Sequence, residues 1–129
     1  PEETQESFDA DLQAMIMDNP SIQRVEDPRD AIASADFIYT DTWIDMQYFN
    51  DPTKHAEKTA LVAQMQRFQI NSDLVAGHEL KIMHDMPIHN DYEITEVAVR
   101  DPRSIIFDQA ANRLHAQKGL LYWLLVANT

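Results

Sequence analysis

Short apolar runs alternate with amphipathic stretches along most of this chain, and that alternation restricts the fold more than any other feature. Phe37-Ile38-Tyr39 within ADFIYTD, the KIM run at residues 81–83 and RSIIFD at 103–108 each read as a strand, with SIQRVE at 21–26 as a further candidate. Between them lie segments with helical spacing or helix-start signals. Strands separated by helices cannot pair as hairpins, so the pattern predicts a Rossmann-like three-layer α/β/α fold with a mostly parallel sheet. Sheets of that kind bind ligands at the carboxyl ends of their strands. Asp41 and His84 stand at two such ends.

The helices are legible from their boundaries. SFDADLQAMIM at residues 7–17 places Phe8, Leu12, Met15 and Ile16 near helical spacing, with Ser7 as cap and Asn19-Pro20 as stop. Asp27-Pro28 opens a second helix through residue 35. A third runs from Pro52 to Phe68, a short one spans YEITEVAVRDP at 92–102, and AANRLHAQKGLLYWLLVA at 110–127 forms a long closing helix.

Composition narrows the function classes. A length of 129 residues, 44% of them hydrophobic and 25% charged, suits one soluble globular domain. The absence of cysteine removes disulfides, thiolate metal sites and thiol nucleophiles, and fits a cytoplasmic location. No apolar run is as long as the roughly 20 residues of a membrane span, so no membrane is expected as a partner. A net charge of −12 opposes binding to nucleic acid, and reads first as a solvated acidic surface. Two glycines do not make a glycine-rich phosphate loop.

KIMHDMPIHN, residues 81–90, crowds His84, Asp85 and His89 around Pro87. Imidazole and carboxylate suit divalent metals, but Pro87 breaks the helical spacing that usually pairs such ligands. Adjacent His84 and Asp85 diverge on an extended backbone and do not form a general-base dyad by themselves. From the residues alone, this stretch is a polar turn at a strand end.

Three separated pieces add to that reading. ADFIYTDTWIDMQ resembles the Thr-Asp-Val-Trp and Ser-Met-Gly segment of the aspartate and ornithine carbamoyltransferases. FQIN at 68–71 is similar to their Tyr-Gln-Val-Asn, HDMP at 84–87 to their His-Cys-Leu-Pro, and DPRSIIFDQAANRLHAQKG to their closing strand and helix. In order and spacing the resemblance covers residues 25–126 and points to the second, acceptor-binding domain.

The resemblance implies transfer of the carbamoyl group of carbamoyl phosphate to an amine, with no metal or organic cofactor. An amino acid or related amine is the acceptor, ornithine-like as first choice. Such chemistry depends on placement and on charges held near the developing oxyanion. Asp41 matches the aspartate that holds the acceptor's amine. Asp45 and Met46 take the places of the Ser-Met pair that grips its amino-acid part. A carboxylate at 45 repels an acceptor carboxylate unless a cation intervenes. Asp85 stands where ornithine-type enzymes carry cysteine, and it favours the ammonium form unless it takes the proton. The backbone carbonyls of Asp85 and Met86 accept from the carbamoyl NH2, and the Met86-Pro87 peptide is expected to be cis. Arg113 donates to carbamoyl phosphate, with Ala111 where the family has glutamate. His84 is expected to make a structural hydrogen bond.

The family's Ser-x-Arg-Thr-Arg and His-Pro-x-Gln segments have no counterpart here. The expectation is therefore a single acceptor-binding domain, 1–129, lacking the carbamoyl-phosphate domain and the first strand. It would be inactive by itself and would need a carbamoyl-phosphate-binding domain supplied elsewhere. A standalone, non-catalytic binding module with the same fold is the alternative. In the family the closing helix packs on the first domain, so the apolar tail Leu120, Leu121, Trp123, Leu124, Leu125 and Val126 is expected to drive homo-oligomer formation.

Overall fold

The computed structural model describes residues 10–45 and 49–127. Helix α1 (Ala10–Asp18) is followed by α2 (Pro28–Ile32), where the Asp27 side chain accepts from the Arg29 amide at 2.9 Å and Pro28 occupies the first turn. Strand β1 (Phe37–Thr40) leads to α3 (His55–Met65), which is flanked by single 3-10 turns at Pro52–Lys54 and Gln66–Phe68. Short α4 (Ser72–Val75) begins where Asn71 caps the Leu74 amide, and β2 (Lys81–His84) follows. Helix α5 (Glu96–Val99) precedes α6 (Ile106–Tyr122), which continues as one π-helical segment, Trp123–Ala127.

The two strands pair in parallel, with Phe37 opposite Lys81, Ile38 opposite Ile82, Tyr39 opposite Met83 and Thr40 opposite His84. Parallel strands need a crossover between them, and α3 and α4 supply it. On β2, Ile82 and His84 share one face and are both fully buried, the two-residue period of a strand with one side in the core. That core is a single cluster built on Ile32, Ile70, Leu80, Ile82, Ile94 and Ile106, with Ile38, Met86 and Ile88 packed at its edge. The fold class is the expected α/β arrangement with a parallel sheet.

Three expectations fail locally. Residues 21–26 form no strand, and no bridge among the described residues includes them. Asn19 instead draws the backbone into a turn, its carbonyl accepting from Ile22 and its side chain from Ser21. With no ladder partner to satisfy its amides, an alternating pattern has nothing to stabilise it as a strand. RSIIFD likewise is not a strand. It makes one parallel bridge, Ser104 to Ile82, before the chain turns into α6 at Ile106, earlier than the predicted residue 110. The second helix ends at Ile32 rather than residue 35. Ser7 and Phe8, the predicted cap and first apolar residue of α1, lie outside the described residues. Among the described residues, no helix is long and apolar enough to cross a membrane.

Candidate functional site

In-phase parallel strands end side by side, so the Thr40–His84 register delivers Asp41 and Asp85 to the same rim. Asp85 is pushed above the usual carboxylate range, first by partial burial, then by the charge of Asp41 and a hydrogen bond with its carboxyl group. The two carboxyl groups therefore act as a pair. Asp41 Oδ1 also accepts from the Thr42 amide, which fixes its orientation.

Asp85 lines a cleft of about 710 Å³ together with Tyr39, Met83, His84, Gln109 and Arg113. Asp41 lines the adjoining groove of about 720 Å³ beside Thr40, Thr42 and Trp43. Tyr39 lines both openings, with Asp41 in one and Asp85 in the other. Asp45 lines a separate depression with Trp43, Lys54 and Lys58, while Met46 lies outside the described residues.

Met86 has a left-handed backbone, φ 58°, and the Met86-Pro87 peptide is cis. The Met86 amide donates to His84 Nδ1 at 2.8 Å, so the imidazole proton belongs on Nε2, which lies 3.2 Å from Glu93 Oε1. His89, buried and stacked on Phe49 at 3.9 Å, has Nδ1 2.7 Å from Thr42 Oγ1. This contact ties the loop after β2 to the loop after β1. Among the described residues, no three metal-binding side chains are grouped to hold an ion.

Two side chains at the rim escape sequence reasoning. Gln109 on α6 accepts from the His84 amide at 3.2 Å and lies 3.3 Å from the Tyr39 hydroxyl, joining α6 to both strands. Its signal was present: Gln109, Arg113 and Ala116 recur at helical spacing on one face of α6, and all three line the cleft. Glu93, fully buried, showed no such signal among the polar residues around it.

The Asp41–Asp85 arrangement has a stability cost. A carboxyl group whose folded-state pKa is raised favours the folded state in acid, and that contribution is lost as pH rises through the folded value. D85N is therefore expected to raise the melting temperature at pH 7 relative to the unsubstituted chain, with the gain shrinking below about pH 4. Calorimetric scans at the two pH values check this. A loss of stability at pH 7 would contradict the pairing.

Comparison with known proteins places this geometry. Residues 1–124 match the family model described as aspartate/ornithine carbamoyltransferase, Asp/Orn binding domain. An ornithine carbamoyltransferase of Mycolicibacterium gilvum is 42% identical over 103 residues, covering 78% of this chain and 32% of that protein. The solved ornithine carbamoyltransferase of Thermus thermophilus superposes with a TM-score of 0.69 at 33% identity, over 91% of this chain and 35% of the other. A variant of N-acetyl-L-ornithine transcarbamylase, solved with carbamyl phosphate and N-succinyl-L-norvaline, gives a TM-score of 0.64 at 28% identity, over 81% and 31%. The chain spans about a third of the length of the curated relatives it matches.

Proposed function

Because the chain belongs to the aspartate/ornithine carbamoyltransferase family through its Asp/Orn binding domain, we propose that it binds the acceptor amine for carbamoyl transfer, with ornithine or a close relative as substrate. The observation that carries this reading is the paired carboxyl groups of Asp41 and Asp85 at one sheet rim, Asp85 lining the cleft that also holds Arg113 and Asp41 lining the groove beside it. An ammonium group is attracted to such a pair and an arginine to a phosphate, which are the charges of the two substrates.

In this reading Asp41 carries the charge that holds the amine. Asp85, the member pushed toward protonation, accepts a proton as the ammonium becomes the neutral nucleophile. The amine nitrogen then attacks the carbonyl carbon, the carbon–oxygen bond to phosphate breaks, and phosphate departs with the bonding pair, taking the second proton that the nitrogen sheds as the carbamoyl product forms. Arg113 donates to the carbamoyl phosphate oxygens, and the Asp85 and Met86 carbonyls hold the carbamoyl NH2. Asp45 and Met46 serve the amino-acid end of the acceptor. Lys54 and Lys58 border the same depression as Asp45; Lys54 pairs there with Glu57 at 2.8 Å, so Lys58 is the cation that offsets the Asp45 charge against an acceptor carboxylate.

A carbamoyl-phosphate domain supplied by another chain or another segment completes the reaction. The test mixes this chain with such a domain and screens ornithine, N-acetylornithine, aspartate and simple diamines for carbamoylated product. Product with an ornithine-type amine supports the proposal. No product with any amine, together with saturable amine binding, would favour the non-catalytic binding module instead.

The closing segment is proposed as the association surface. Leu120, Leu121, Trp123, Leu124, Leu125 and Val126 are all about half exposed or more. Covering what remains exposed of each is worth about half of the ~1.5–3 kcal/mol of full burial, enough in sum that a lone chain gains by self-association. Light scattering is expected to find oligomers, and L121E with L125E to shift them toward monomer. A monomer at high concentration would contradict this.

A further inference from the structure

Among the described residues, Glu93 is the carboxylate that reaches both ends of the loop from His84 to His89. Its Oε1 lies 3.2 Å from His84 Nε2 and accepts from the His89 amide at 2.6 Å. Its side chain is fully buried, as is that of His84. The backbone beneath it is held in turn: the Glu93 carbonyl accepts from the Ile70 amide at 2.9 Å, and Gln69 Nε2 donates to the carbonyls of Asp91 and Tyr92. Glu93 therefore sits on fixed ground, while the loop it grips contains no regular structure between β2 and residue 89.

Inside that loop the Met86 amide donates to His84 Nδ1 at 2.8 Å. Asp85 Oδ1 lies 3.3 Å from the same nitrogen. One nitrogen cannot both accept from Met86 and donate to Asp85. With Nε2–H committed to Glu93, Nδ1 keeps its lone pair for Met86. Glu93 thus selects the imidazole tautomer that holds Met86 in its left-handed conformation and leaves the Asp85 carboxyl group to Asp41 and the cleft.

We propose that Glu93 is a positioning residue for the acceptor site, clamping both ends of the 84–89 loop through His84 and His89 and so setting Asp85 at the cleft and fixing the Asp85-Met86 backbone beside it. The use of those groups toward substrate rests on the function proposed above; the clamp itself does not. The test has two arms on the full chain. Long-range proton–nitrogen NMR of the unsubstituted protein is expected to find His84 protonated at Nε2 and bare at Nδ1. A proton on Nδ1 overturns the clamp whether or not any variant folds.

In the second arm, amide exchange of Met86 is followed in E93Q, which retains an acceptor oxygen, and in E93A, which does not. E93A is expected to speed Met86 exchange by about 10-fold or more and to weaken ornithine binding about as much, with E93Q close to the unsubstituted chain in both. Unchanged Met86 exchange in a folded E93A overturns the proposal, as does equal damage in E93Q. If the unsubstituted chain takes no ornithine, the acceptor reading falls, and the tautomer and exchange results still decide the clamp.

Discussion

Asp41→Asn is expected to lower kcat/KM for the acceptor by about 100-fold when the chain is paired with a carbamoyl-phosphate domain, with the KM for carbamoyl phosphate nearly unchanged. The size follows from what is lost. Of the two carboxyl groups at the rim, Asp85 is the one pushed toward protonation by burial and by its neighbour, so Asp41 supplies the negative charge that an ammonium group meets. Asparagine keeps the shape and an acceptor oxygen for the Thr42 amide, so the loop after β1 stays in place and the effect is electrostatic. Relieved of the Asp41 charge, Asp85 moves back toward the ordinary carboxylate range in the same variant. Steady-state kinetics with each substrate varied in turn checks the split. An equal loss for both substrates would point to a collapsed site, and no loss would remove Asp41 from it.

The largest effect on stability is expected far from the cleft. Arg103 Nη1 donates to the carbonyls of Val75 and His78, each at 2.6 Å, while Nε and Nη2 form a two-pronged pair with Asp101 at 2.9 and 2.8 Å. One side chain thus closes the end of α4, the approach to β2 and the turn before α6. Arg103→Ala strands the His78 carbonyl, leaves the Val75 carbonyl only the His78 amide and leaves the Asp101 carboxylate only the amide of residue 103, for a loss of roughly 2–3 kcal/mol. Lysine cannot reproduce the fork and is expected to recover only part of it. Urea unfolding measures both variants, and a loss under about 1 kcal/mol for alanine would show that water replaces these contacts.

The same pair predicts a pH dependence. Arg103 holds the Asp101 carboxyl group at about 2 against the usual 3.8, through hydrogen bonds first. A depressed folded-state pKa stabilises the fold above the unfolded value and stops doing so as pH falls through the folded one. The contribution is therefore complete above about pH 4 and fades toward pH 2, amounting to about 2 kcal/mol before allowance for solvent around the pair. Asp85 acts in the opposite sense over an overlapping range. D101N should flatten the acid limb, whereas D85N should steepen it.

The two strands that frame the site were legible because each is a compact apolar run, Phe37-Ile38-Tyr39 and Ile82-Met83, bounded by polar residues, and a strand end fixes where the next side chain must go. That is why Asp41 and Asp85 could be located from their places after FIYT and KIMH. SIQRVE carries a comparable pattern, but strand formation depends on a neighbour to pair with, which a single segment does not encode. The start of α6 was misplaced because Ile105 and Ile106 serve a bridge and a helix entry in succession, and Ile106 is buried either way. Glu93 was illegible for a different reason. A buried carboxylate differs from a surface one only in its partners, and His84 and His89 become its partners through the bend at Met86-Pro87.

The most direct measurement is an ornithine titration of the isotopically labelled chain, followed at every assigned backbone and side-chain resonance. The account predicts saturable shifts concentrated at Asp41, Asp85 and Met86, extending to the Arg113 guanidinium when carbamoyl phosphate is added, and absent in D41N. Saturation at residues remote from the β1–β2 rim, or shifts at Asp41 without any at Asp85, would contradict it.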